Sequence, residues 1–297
     1  MTEALLVFEA ARIDADGAPL LEGLNASASG PRVTLIGEFG ALFALLAGEA
    51  KVTAGSVRIA GHSAEGAVAE GVVGLLLADP PLPLKWKALE YLSESAALLG
   101  HPLSRGRALA AQAMARLGLD ALADRRLEAL TLLERRSVLL AHALLGDPPV
   151  LALQDPLSDL SDREQEAMTQ LLDRAQHDKS LLVSSRAHAV TGHERALVDR
   201  ADATLVLEAG TLTGHVGPAR HLTDGRRYRV TATKNGDALA DALTERGHHV
   251  DVAEDGSGVA RLLVELVGDE SVAVITRAAL AAEAPVVELI PLGNAAQ

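Results

Sequence analysis

Cysteine is missing from this chain altogether, so it has no disulfide framework and no thiolate chemistry, a pattern that fits a reducing cytosol. Aromatic side chains are nearly as scarce: three Phe, two Tyr and one Trp among 297 residues. The core must therefore be assembled from Leu, Val and Ala. Basic charge is also short, with 27 Lys and Arg against 40 Asp and Glu and a net charge of −13. That sign argues against a phosphate-backbone partner, so nucleic acid is not expected. No run reaches the roughly 18 uninterrupted apolar residues of a spanning helix, and MTEALLVFEAARIDADG is not a basic segment followed by an apolar one. The chain is expected to be cytoplasmic, and to reach a membrane only through a partner.

What is present reads as α/β. Apolar runs LLVFEA, PRVTLIG, SVRIAG, VVGLLLA, PVLALQD, SLLVSS and ATLVLEAG alternate with helical patterns such as RALAAQAMARLG and LERRSVLLAHALLG. That order implies a largely parallel sheet. The turn-rich stretch GPARHLTDGRR, residues 217–227, precedes a tail whose runs follow the order βαββαβ, the pattern of a small ferredoxin-like α+β domain.

One loop carries the functional argument. GEFGALFA, Gly37 to Ala44, lies between an apolar strand and an apolar helical run with the spacing of GxxxxGK[ST]. Gly37 is in place and Gly40 lies within the loop. Leu42 stands at the second glycine, Phe43 at the lysine and Ala44 at the hydroxyl residue.

Together with LLAGEAKVTAGSVRIAG and the stretch LEALTLLERRSVLLAHALLGDPPVLALQDPLSDLSD, from Leu127 to Asp162, this loop gives an ordered set of motifs. The chain resembles the ATPase, or nucleotide-binding, subunit of ATP-binding cassette (ABC) transporters over roughly residues 5–217. The resemblance implies a P-loop NTPase-like cassette at 1–217, with a helical subdomain at about 80–145. A linker at 218–227 and an accessory domain at 228–297 would follow.

The resemblance also marks departures, and each has a chemical meaning. Phosphate loops bind through glycine backbone, a lysine and a metal-holding hydroxyl. Leu42, Phe43 and Ala44 offer none of these. The two carboxylates expected after the next strand are Gln154, which is neutral, and Asp155, one methylene short of a general base. Arg186 stands at the switch histidine, Ala78 at the glutamine that follows VVGLLL, and Ile13 at the base-stacking aromatic. The LSGGQ-type signature reads Leu130, Thr131, Leu132, Leu133, Glu134. Its two leucines replace glycines that approach the γ-phosphate of a partner's nucleotide. The apolar strands and structural glycines persist, so loss is concentrated where charge is handled.

Other features have plainer readings. Phe43, at helical spacing from Leu46, suits a buried core helix. Asp155 could be a solvated strand-end carboxylate, Arg186 a surface cation, and RRLEALTLLERR a solvated helix face. His188, His193, His248 and His249 lack companions for metal binding, and no metal site is expected. Trp86 and Tyr91 fall where the resemblance places the groove for a membrane subunit, and both types favour interfaces. Internal packing of Trp86 is the competing reading.

These readings converge on an expectation: not an enzyme, with ATP and magnesium binding lost or weak. The chain would dimerise, with itself or another cassette protein, and dock on a transmembrane permease subunit in a structural or gating role. A weak ATPase of an exporter, and a soluble scaffold or regulator without a membrane partner, remain as alternatives.

Overall fold

The alternating apolar pattern of ALLVFEAARIDA forms β1 (Ala4–Ala15), which folds back through Asp16 and Gly17, both at positive φ, onto β2 (Ala18–Ser29). An Asp-Gly pair at positive φ is the two-residue turn that matches strand twist. The computed structural model describes residues 4–185, 192–208, 211–217, 227–254, 260–266 and 272–291. It divides into two units, Met1–Ala219 and Arg220–Gln297.

The first unit continues with β3 (Arg32–Gly37), α1 (Gly40–Leu46), β4 (Lys51–Ile59), β5 (His62–Ser63), α2 (Ala64–Ala67) and β6 (Val73–Leu76). Helices α3 (Ala88–Leu98), α4 (Leu103–Leu117) and α5 (Leu132–Ala143) follow, then β7 (Val150–Leu153) and α6 (Asp162–Gln176). The unit closes with β8 (Ser180–Ser185), α7 (Gly192–Asp199), β9 (Ala203–Glu208) and β10 (Thr211–Val216).

Two sheets result. One is six-stranded in the order β10-β9-β3-β8-β7-β6, parallel except at β10, as the βαβ alternation implies. The other, β2-β1-β4-β5, is wholly antiparallel. Strand β2 was not anticipated, because APLLEGLNASAS is poor in β-branched residues. Pairing with β1 overrides that weak propensity.

Phe8, Phe39 and Phe43, all the phenylalanines of the chain, lie in one apolar cluster with Leu6, Ile13 and Leu45. A second cluster joins the helices to the sheet through Leu92, Met114, Leu140, Leu151 and Met168. At their junction β6 and α5 touch backbone to backbone. A Cβ on Gly74 would meet Ala143 O at 1.8 Å, so only glycine fits.

The second unit runs β11 (Arg227–Ala232), α8 (Gly236–Thr244), β12 (His249–Glu254), β13 (Ala260–Glu265), α9 (Ala273–Ala281) and β14 (Val286–Pro291). Its antiparallel sheet has the order β12-β13-β11-β14, the ferredoxin-like arrangement. Leu239 and Leu243 of α8 and Val274 and Ile275 of α9 pack on Val230, Leu262 and Val264.

Candidate functional site

The end of β3 sets the loop. Gly37 has φ +103, and a Cβ there would meet Leu207 O of β9 at 2.1 Å. This glycine is therefore required by strand packing, whatever the loop binds. Gly40 opens α1 with nothing within 4 Å of a built Cβ. The N–H groups of Gly40 and Ala41, in the first turn, have no acceptor within the helix.

The side chains that follow turn inward. Leu42 is fully buried and Phe43 is 1% exposed, so the lysine position holds a core ring. Ala44 is half-buried. Ile13 is also fully buried, which takes the base-stacking position away from solvent.

Opposite the loop, β7 delivers Gln154 and Asp155, and β8 delivers Ser184. With Gly37, Glu38, Phe39 and Gly40 they line a cavity of about 300 Å³. Ala78 N–H donates to Gln154 Oε1 at 3.2 Å, so the expected Ala78 and Gln154 positions do meet. Asp155 is 6% exposed with φ +43, which rules out a solvated strand-end carboxylate. Its N–H donates to Ser184 Oγ at 3.0 Å, and Ser184 Oγ donates to Asp155 Oδ1 at 2.8 Å.

Two charged groups near this site were missed in the sequence. Glu194 of α7 accepts from Ser185 Oγ at 3.5 Å. Burial, and then the Asp155 charge, hold its carboxyl above the usual range. Arg136, the last residue of the run expected to be a solvated face, is 3% exposed. Its Nη1 donates to Pro156 O at 3.3 Å and to Ser158 O, on the loop that follows Asp155. Burial pushes this guanidinium down, and Asp159, Asp155 and Asp79 oppose that shift. The spacing of Arg136 one turn after Leu132 and Leu133 on α5 was the available signal.

The signature segment starts α5. Thr131 is the N-cap: Glu134 N–H donates to Thr131 Oγ1 at 3.2 Å, and Thr131 N–H donates to Glu134 Oε2 at 2.8 Å. The Thr131 backbone bond is the main reason the Glu134 carboxyl lies below its usual range; Arg125 adds to it. Leu132 and Leu133 pack against the helical core. Trp86 is 39% exposed in the segment before α3. Tyr91 instead stacks on His142, with ring centroids 5.6 Å apart and planes at 22°. Arg186 and His188 lie outside the described residues.

No protein-family model matches the chain. It is similar to the "Lipoprotein-releasing system ATP-binding protein LolD" of Chromohalobacter salexigens, 26% identical over 196 residues, which covers 62% of this chain and 81% of that protein. It is similar to the "Arabinose import ATP-binding protein AraG" of Burkholderia pseudomallei, 30% identical over 181 residues, or 56% of this chain and 36% of that one. Among solved structures it matches the ADP conformation of an ATP-binding cassette of an ABC transporter, with TM-score 0.61 and 17% identity, covering 75% of this chain and 95% of that one.

The fold is that of an ATP-binding cassette.

These relatives correct two expectations. The departures at the loop, after β7 and in the signature suggested a cassette that is not an enzyme, with ATP and magnesium binding lost or weak; the similar proteins are named as ATP-binding proteins. The physical reason lies in what side-chain reading omits. The loop residues Gly37 to Gly40 still border a cavity, together with Gln154, Asp155 and Ser184. Amide and carboxylate side chains are of the type that hard cations take as ligands. Phe43 and Ala44 contribute neither charge nor hydroxyl, so the cassette's loop offers backbone and β7 groups instead.

Proposed function

We propose that this chain is the ATP-binding cassette subunit of a membrane transport complex, placed at the cytoplasmic face by a transmembrane permease subunit. It works there as a homodimer or as a heterodimer with another cassette protein, in a structural or gating role. The observation that carries this reading is the cavity in which Gly37, Gly40, Gln154 and Asp155 face one another on a cassette fold.

In this reading the backbone of Gly37 and Gly40 would border a bound phosphate, while Gln154 and Asp155 would lie toward a magnesium ion. Bound nucleotide supplies the phosphoanhydride chemistry. The chain positions it, and the buried Phe39, Leu42 and Phe43 exclude water behind it. Thr131, Leu132, Leu133 and Glu134 form the face presented to the second cassette. Arg136 joins α5 to the loop after Asp155, so movement of that loop is passed to the helices. Trp86 and Tyr91 lie on the side proposed to meet the permease, and a docking groove of this kind depends on shape complementarity. The domain boundaries that follow are a cassette at 1–217, its helical part at about 80–145, a linker at 218–227 and an accessory unit at 228–297 that adds dimer contact.

The test is a pull-down of the full chain from detergent extract of the cells that produce it. A stable complex carrying the permease supports the reading, and recovery of soluble proteins alone overturns it. Titration of the full chain with a fluorescent ATP analogue and magnesium is the companion measurement. Saturable binding that Gly40→Trp removes supports the loop assignment.

A further inference from the structure

Among the described residues the first unit holds a second recess, away from the loop. It has a volume of about 460 Å³, between the end of α1, the segment before β6, and helices α3 and α5. Sites for small organic molecules fall in the same range, roughly 300–1,000 Å³. The walls are apolar, with Leu75 and Leu139 among them, and Tyr91 and His142 line it as a stacked pair. Burial holds the His142 imidazole below its usual pKa, and its bond to the Leu75 backbone opposes that shift. The floor is therefore aromatic and neutral.

Two carboxylates border the recess, alongside the imidazoles of His101 and His142. Glu49 and Glu70 are both exposed and both border the recess, and no Lys or Arg is among its lining residues. Glu70 pairs with His62, at 3.1 Å through Oε2. An apolar body suits the leucines and the aromatic pair, and a cation suits two carboxylates. An anion would meet only repulsion.

We propose that this recess is a binding site for a small organic cation, an alkyl- or arylalkylammonium whose apolar part packs against Leu139 and the Tyr91–His142 pair and whose charge sits at Glu49 and Glu70. The same side of the unit is the one proposed above to meet a permease, so a bound cation would compete with that partner. Binding itself needs no partner, and its outcome is separate from the outcome of the transport reading.

The experiment uses the full chain alone and three probes of one shape: 4-phenylbutylammonium, 4-phenylbutanol and 4-phenylbutyrate. The chain has two tyrosines, Tyr91 and Tyr228, so ¹³C-labelled tyrosine gives one reporter in the recess and one in the second unit. The ammonium probe is expected to shift the Tyr91 ring signals saturably and leave Tyr228 in place. Its affinity should exceed that of the alcohol by about tenfold, the order two exposed charge pairs supply together. The variant Glu49→Gln/Glu70→Gln, altered only at exposed carboxylates, should fold normally and lose that preference to within about twofold. The proposal is overturned if Tyr91 shows no saturable shift, if Tyr228 responds equally, or if the alcohol or butyrate binds as well. It is also overturned if the preference survives the double substitution.

Discussion

The Arg136 guanidinium on α5 donates to the Pro156 carbonyl at 3.3 Å, tying the helix that begins with the signature to the loop that follows Asp155. The same nitrogen reaches Ser158 O, while Nε has no hydrogen-bond partner among the described residues. A buried cation so placed counters Asp79, Asp155 and Asp159. Arg136→Met should remove both carbonyl partners and the charge, at about 3 kcal/mol of stability, as for breaking a buried charge network. Urea unfolding of the full chain measures this, and Arg136→Lys should recover part of the loss.

Gly37 and Gly40 should respond oppositely to one methyl group. Gly37→Ala drives Cβ into Leu207 O and adopts a φ that disfavours side chains, so several kcal/mol should be lost. Gly40→Ala has open space and a helical position, where alanine is better than glycine by up to about 1 kcal/mol. Thermal melts of the two variants distinguish them. A melt of Gly40→Ala well below the parent would refute the open first turn.

The Thr131–Glu134 cap carries a pH signature. Thr131→Ala should cost about 1 kcal/mol, the usual value for losing an N-cap hydroxyl. The folded carboxyl of Glu134 lies below its unfolded value. Its contribution is thus complete above the unfolded pKa and disappears as pH falls through the folded one. Unfolding curves in the acid range should show this slope in the parent and a smaller one in Glu134→Gln.

His142 acts earlier in the same titration. Its folded pKa is depressed by burial, so the unfolded chain takes up the proton first as pH drops below about 6.5. Stability should fall from neutral pH toward the folded pKa. In His142→Phe, which keeps a ring against Tyr91, this part of the slope should vanish. An unchanged slope would place the titration elsewhere.

Trp86 and Tyr91 separate surface from packing. Tyr91→Ala removes a stacked, half-buried ring and should cost about 2–3 kcal/mol. The backbone groups around Trp86 hold Leu127 and Glu128 without help from the indole, with Leu127 N–H to Trp86 O at 2.9 Å. Trp86→Ala should therefore change stability by less than about 1 kcal/mol and weaken association with a membrane partner. If the isolated variant unfolds, the indole is packing after all.

The parallel sheet, the βαββαβ tail and the inward turn of Phe43 were legible from pattern alone, because apolar period and turn residues act locally. The Asp16–Gly17 hairpin and β2 were overlooked, since APLLEGLNASAS has no β-branched residue and acquires strand geometry only from β1. Reading the loop by its side chains led to a wrong conclusion about ATP and magnesium. The cavity that Gly37, Gly40, Gln154 and Asp155 line is a property of how β3, α1 and β7 meet, and no letter in the sequence records it.

Order along the chain thus determined the layers, the acidic surface and which positions carry lysine, hydroxyl or carboxylate. Tertiary contact decided the rest: that Gly37 is a glycine because β9 passes 2.1 Å from where a methyl would sit, that Asp155 is buried against Ser184, and that Arg136 is inside. Each of these depends on distances between segments far apart in sequence, where charge and close packing act through space and leave no local periodicity.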